Sequence, residues 1–162
     1  MNESIHPLGK DELQDFIDRH QIDAEIIPLA AHTSTVSEAA VALGVATDQI
    51  IKSLVFRVAS EALLVINNGL ARVDRRKLAA CLGVGRKRVK FASPEQAMEI
   101  TGYVVGSMPP FGHRVKLRTL VDTAVTELQV IYGGGGSIDA MMRLTPPELT
   151  RLTGAKILDL SE

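Results

Sequence analysis

A lysine interrupts an apolar strand pattern in the stretch QIIKSLVFRV, residues 49–58. Strand alternation places Ile50, Leu54, Phe56 and Val58 on one face together with Lys52, and Ile51, Ser53, Val55 and Arg57 on the other. An ammonium set in an apolar row must keep a partner or lose its proton. Three outcomes follow. Lys52 faces a polar cavity and holds an anion or a polarised carbonyl; or its pKa is depressed and it acts as a base; or it snorkels to water from a strand end.

The stretch TGYVVGSMPPFGH, residues 101–113, is the second place where chemistry could sit. Its glycines, Gly102, Gly106 and Gly112, allow a ligand close to the backbone. Pro109 and Pro110 fix φ and remove two N–H donors. Such a stiff loop presents its remaining backbone groups without reorganisation, or is simply a tight structural turn. The run YGGGGSI, residues 132–138, lacks both the GK[ST] of a P-loop and the G-x-G-x-x-G of a dinucleotide site. It reads as a hairpin tip or as a pocket wall where side chains would clash. His6, His20, His32 and His113 are not at metal-ligand spacing, so no metal site is indicated. His32 and His113 could line a pocket, or be surface or capping residues. Cys81 lies on the apolar side of a helical pattern and reads as a small buried hydrophobe.

The elements that must position these groups are short and mixed. The 162 residues are 46% hydrophobic and 23% charged, which suits one domain, residues 1–162, with residues 1–25 as a helical lead-in. With no Trp, two Tyr and four Phe, the core is aliphatic and a base-stacking platform is disfavoured. No signal-like or membrane-spanning run is present, which reads as a soluble cytoplasmic chain. Capping signals frame helices in TVSEAAVALG, DRRKLAACLG, SPEQAMEIT and TPPELTRLTG, and KDELQDFIDRH has helical spacing. QIIKSLVFRV and EALLVINNG form a hairpin turning at residues 59–61, and TELQVIY and DAMMRLT form another around the glycine run. RVKFA and AKILDL are short strands, and GYVV begins as a strand before the stiff loop. The fold class expected is α+β, a mixed or barrel-like sheet with short flanking helices.

Charge is uneven. Residues 72–118 carry eleven Lys/Arg against Asp74, Glu95 and Glu99, a net of +8, and the rest of the chain carries −9. The asymmetry fits either a polyanionic partner on one side or a solvated surface.

Taken in order, HTSTVSEAAVALGVATDQIIKSLVFRV, LLVINNGLARVDRRKLAACLG, TGYVVGSMPPFG and GGGGSIDAMMRLTPPELTRLTGAKILDL resemble the YbaK/EbsC group of aminoacyl-tRNA deacylases. They are also similar to the editing domain inserted in bacterial prolyl-tRNA synthetase. The resemblance implies a compact domain around a barrel-like mixed sheet, and hydrolysis of the ester joining a wrong amino acid to tRNA. It implies no cofactor or metal, aminoacyl-tRNA as partner, and a synthetase such as prolyl-tRNA synthetase as a second one. Lys52 matches the family's central lysine. Residues 106–110 match its G-x-x-x-P loop, so that Lys52, Gly106 and Pro110 are the expected catalytic positions. His32, Thr33, Ser107, Met108, Pro109, Phe111, Gly112, His113 and Gly134 are the expected substrate-binding residues. Arg75, Arg76, Lys77, Arg86, Lys87, Arg88 and Lys90 are expected to meet the tRNA backbone. Ser107 and Pro109 depart from the Gly and Ser/Thr of many members, which alters the pocket that sorts amino acids. Trans-editing of a small amino acid such as Ala, Cys, Ser or Thr is the expected function; the alternative is a non-catalytic tRNA- or nucleotide-binding module.

Overall fold

A computed structural model describes residues 6–30, 33 and 35–162. Six α-helices run at α1 (Lys10–Arg19), α2 (Val36–Leu43), α3 (Arg75–Leu82), α4 (Pro94–Thr101), α5 (Thr123–Thr126) and α6 (Pro146–Thr153). The described residues also form eight strands: β1 (Ala24–Pro28), β2 (Ile51–Val58), β3 (Glu61–Asn68), β4 (Val89–Phe91), β5 (Arg118–Asp122), β6 (Ile131–Gly134), β7 (Ala140–Leu144) and β8 (Lys156–Leu158). Local chemistry sets the helix ends. Thr35, Asp74, Ser93 and Thr145 each accept backbone N–H groups of the first turn through their side chains.

Five strands form a mixed sheet in the order β4-β2-β3-β5-β8. β2 is antiparallel to β3 and β4, while β5 runs parallel to both β3 and β8. β1, β7 and β6 form a second, antiparallel sheet. A parallel bridge between Ile50 and Tyr132 joins β6 to the start of β2. The two sheets share one core, in which Ile51, Val55, Leu64 and Ile66 meet Ile131, Met142 and Leu144. This is the expected α+β domain with a mixed sheet and short helices.

The structure differs from the sequence reading in three elements. First, the central strands β2 and β3 are buried on both faces. Ile51 and Val55 enter the shared core, while Phe56 and Val58 pack with Leu78 of α3. The alternation in QIIKSLVFRV therefore separates two cores, not core from solvent. Second, GYVV is not a strand. Tyr103 is buried in the shared core, and both the N–H and the hydroxyl of Ser107 bond back to the Val104 carbonyl. That closes a turn where a strand would have needed a neighbour. Third, the first part of TELQVIY is a helical turn and a connection, so the strand begins only at Ile131. β1 and β5 were not anticipated. Both are five residues long, and their partners are distant in the chain.

Candidate functional site

Lys52 is the second residue of β2, at the open end of its row. Its Nζ donates to the Ala71 carbonyl at 2.6 Å. Burial, and then the neighbouring Arg72 guanidinium, hold its pKa below the ordinary lysine value. Of the three outcomes open from the sequence, the strand-end position and the carbonyl partner favour a lysine held at a cavity edge.

That cavity is about 250 Å³ and is lined by Thr33, Lys52, Ser53, Gly106, Met108 and Gly134, among others. Thr35, Val36 and Ala39 of α2 and its cap close one side, and Met141 of β7 and the exposed Ile138 close another. Among the described residues no carboxylate lines it, and Lys52 is the one charged side chain in its wall.

Close backbone approach builds the wall opposite. A Cβ placed on Gly134 would lie 2.2 Å from the Met108 carbonyl oxygen and 2.8 Å from that of Ser107. Only glycine lets β6 touch the loop there. Next to it, Gly136 N–H donates to the Ser107 carbonyl at 2.9 Å. Gly134 is thus pocket wall where a side chain would clash, while Gly135 and Gly136 lie in the connection of the β6–β7 hairpin, so the glycine run serves both of its readings from the sequence. Gly106 has φ 97, a backbone conformation that favours glycine. Ser107 N–H and Oγ are committed to Val104 O at 3.0 and 2.7 Å. The hydroxyl at this departure from the family pattern is buried and ties the turn, so it is not a ligand donor. Gly106 and Met108 keep backbone N–H groups that make no hydrogen bond among the described residues.

The expected site divides at Pro109. Pro110, Phe111, Gly112 and His113 line a second cavity of about 290 Å³, together with Phe16, His20, Lys116 and Thr153. They lie behind the loop, not in front of it. Pro110 has no N–H and its Cδ sits 3.4 Å from a Cβ built on Gly133, so it acts by fixing the backbone. His113 donates from Nε2 to the Pro109 carbonyl at 2.7 Å. Burial pushes the His113 pKa down, the hydrogen bond to Pro109 opposing it. His113 is thus a brace for the loop. A group whose folded pKa is depressed binds its proton more readily when unfolded, so its stability contribution is present above the ordinary value of about 6.5 and is lost as pH falls. We expect thermal stability to decline on acidification from pH 7.5 to 5, and the decline to be shallower in His113→Phe, as thermal melts across that range will show. His32 lies outside the described residues.

Most of the basic residues are exposed. Arg75, Arg76 and Arg86 line one concavity, and Lys87, Arg88 and Lys90 line another with Arg57 and the exposed Phe91. Lys77 differs: its ammonium donates to Asp159 at 2.8 Å and to the Ser161 carbonyl at 2.7 Å, which raises its pKa. It ties α3 to the C-terminal segment through an exposed ion pair. The sequence reading also missed Asn67, fully buried beside Lys52. The expected turn at 59–61 would have set position 68 opposite 52; the two-residue turn at 59–60 pairs Val58 with Glu61 and so Lys52 with Asn67.

Comparison with known proteins gives the architecture a family. The chain belongs to the aminoacyl-tRNA editing domain family, whose model matches residues 30–152. That span includes Lys52, the loop and the glycine run. The multifunctional Ser/Thr-tRNA deacylase ProXp-y of Escherichia coli (strain K12) is 28% identical over 121 residues, covering 72% of this chain and 71% of its own length. YwhH of Bacillus subtilis (strain 168) is 28% identical over 134 residues, with 82% and 83% coverage. A solved structure described as a candidate trans-editing enzyme for prolyl tRNA synthetase superposes with a TM-score of 0.86 at 32% identity, covering 100% of this chain and 99% of that one.

Proposed function

We propose that this chain, residues 1–162 acting as one editing domain, hydrolyses mischarged aminoacyl-tRNA in trans at the Lys52 cavity. The observation that carries the reading is Lys52 Nζ, held at the edge of a small cavity whose far wall is the glycine-braced loop. Water attacks the ester carbonyl carbon. The bond from that carbon to the terminal ribose oxygen breaks, and the water's proton ends on that oxygen. The products are a free amino acid and a tRNA with both terminal hydroxyls.

Each group has a part. Lys52, protonated, donates to the ester carbonyl or to the terminal adenosine's phosphate or hydroxyl side. The N–H groups of Gly106 and Met108 are available to the oxygen that gains charge as the tetrahedral intermediate forms. Pro109, Pro110 and His113 keep those donors in place, so little reorganisation is needed when charge develops. The ribose hydroxyl left free by the ester assists the water.

The cavity's size favours a small amino acid. A synthetase pocket separates neighbours differing by one methylene by only about 1–3 kcal/mol, so a second, smaller site is needed to remove the error. Ser and Thr have support from the E. coli relative's named activity and from the Thr33 and Ser53 hydroxyls in this wall; Ala and Cys also fit by size. Prolyl-tRNA synthetase is the proposed source of the mischarged tRNA, by likeness to the solved relative. We place the activity in the cytoplasm, where tRNA is charged; among the described residues no helix is long and apolar enough to cross a membrane.

The test is a deacylation panel: purified chain against tRNAs carrying Ala, Cys, Ser, Thr or Pro, with release of amino acid followed over time. Turnover on at least one small mischarged amino acid supports the reading. Measurable tRNA binding with no turnover on any member would indicate a binding module instead. Charge reversal at Arg86, Lys87 and Arg88 is expected to raise KM severalfold and to flatten the salt dependence of kcat/KM, with kcat little changed. An unchanged salt slope would make those residues a solvated face.

A further inference from the structure

Asn67 makes two commitments that a buried strand residue has no need to make. It is wholly buried in β3, a strand covered on both faces, where a leucine would pack without polar cost. Its Nδ2 donates to the Ala71 carbonyl at 3.1 Å, the same oxygen that takes Lys52 Nζ at 2.6 Å. Its Oδ1 is buried and meets no donor among the described residues. An unmet buried acceptor is costly, so this amide is a net weakness in the sheet unless it serves something else.

Asn67 and Lys52 are direct cross-strand partners in the β2–β3 ladder. A carbonyl oxygen has two lone pairs. Asn67 and Lys52 take both at Ala71, in a turn already closed by Ala71 N–H to Asn68 O at 3.0 Å and by Gly69 N–H to Ile50 O. A lysine ends in a point charge on a flexible four-carbon stem, so its location is set by what it donates to. With one N–H on Ala71, two remain for a substrate. Arg72 follows Ala71 directly, and its guanidinium adds to burial in holding the Lys52 pKa down.

We infer that Asn67 is a positioning residue for Lys52: its amide fixes the Ala71 carbonyl, and the carbonyl fixes the ammonium at the cavity edge. This rests on the reading that Lys52 serves the reaction, but the placement itself can be tested without turnover. Asn67→Leu removes the donor and keeps the volume. With the anchor lost, the ammonium moves toward water and its titration midpoint, followed by NMR of the labelled lysine Cε and assigned with Lys52→Arg, is expected to rise. In Asn67→Asp a carboxylate facing the ammonium raises it further. In the deacylation assay, Asn67→Leu should lower kcat about tenfold with KM within about threefold, as a loss confined to the transition state does.

A folded Asn67→Leu whose Lys52 midpoint stays at the wild-type value would overturn the inference and leave Asn67 as a turn closure. A shifted midpoint together with unaltered kcat would overturn it too, since the placement would then serve nothing in the reaction. If the wild-type chain deacylates no substrate, the proposed function fails, and the midpoint alone decides the positioning. If Asn67→Leu does not fold, Asn67→Ala, which removes the amide without adding a charge, carries the same two readings.

Discussion

Lys52→Ala will lower the rate of deacylation by about a hundredfold or more and leave the thermal midpoint nearly unchanged. The size follows from the cavity. Among the described residues its wall holds one charged side chain, Lys52, and no carboxylate, so none of them offers a second cation in place of the lost donor. A hundredfold loss is about 2.7 kcal/mol of transition-state stabilisation, the scale of one hydrogen-bond donor aimed at a developing charge. Stability should barely move, because Lys52 is only partly buried and its single bond to Ala71 can pass to water. Removing a desolvated ammonium also removes its burial cost. Lys52→Arg should recover only part of the rate, since a planar fork cannot occupy the position of a point donor. Rates with circular dichroism melts on the same preparations check both halves of this expectation.

Gly134→Ala should damage activity and stability together. The new Cβ would meet the Met108 carbonyl at 2.2 Å, and the atom it meets is backbone, not a yielding side-chain tip. Either β6 or the loop must shift. Overpacking of this kind costs about 1–3 kcal/mol, which lowers the melting temperature of a domain this size by roughly 2–10 °C. The loop carries the uncommitted N–H groups of Gly106 and Met108, so a shift of about 1 Å should cost about a hundredfold in kcat/KM. Gly83→Ala is the matched control. It sits at the C-terminus of α3 with φ 68 and nothing within 4 Å of a built Cβ. It should lose stability by backbone strain of about 1–2 kcal/mol while activity per folded molecule is kept. Equal losses of activity in the two variants would mean that the Gly134 contact matters only for folding.

The sequence showed most where a signal is local. Caps at Thr35, Asp74, Ser93 and Thr145 and the stops at Gly44 and Gly83 need only neighbouring residues, and the helices follow them. The oddity of Lys52 was also local, since strand parity alone marks it. What stayed hidden depends on contacts across the chain. The two-sided burial of β2 needs α3 on one face and the shared core on the other. The pairing of Lys77 with Asp159 joins positions 82 residues apart, so a basic count treated a structural tie as a free charge. The loop from Gly106 to His113 reads as one motif, yet its two halves face different cavities because Ser107 and Pro109 are pinned from opposite sides, by Gly136 and by His113. Asn67 stood unmarked within the strand pattern EALLVINNG, because its burial beside Lys52 depends on the pairing register and on layers from elsewhere in the chain.

The central claim is that this chain cleaves the ester of a small, wrongly attached amino acid at the Lys52 cavity. Its most direct test is a single-turnover time course on Ser-, Thr-, Ala- and Cys-charged tRNA, with wild type and Lys52→Ala side by side. The wild type should release at least one of these amino acids rapidly, and the variant should release it near the spontaneous rate. Equal release by both proteins, with the variant folded, would contradict it.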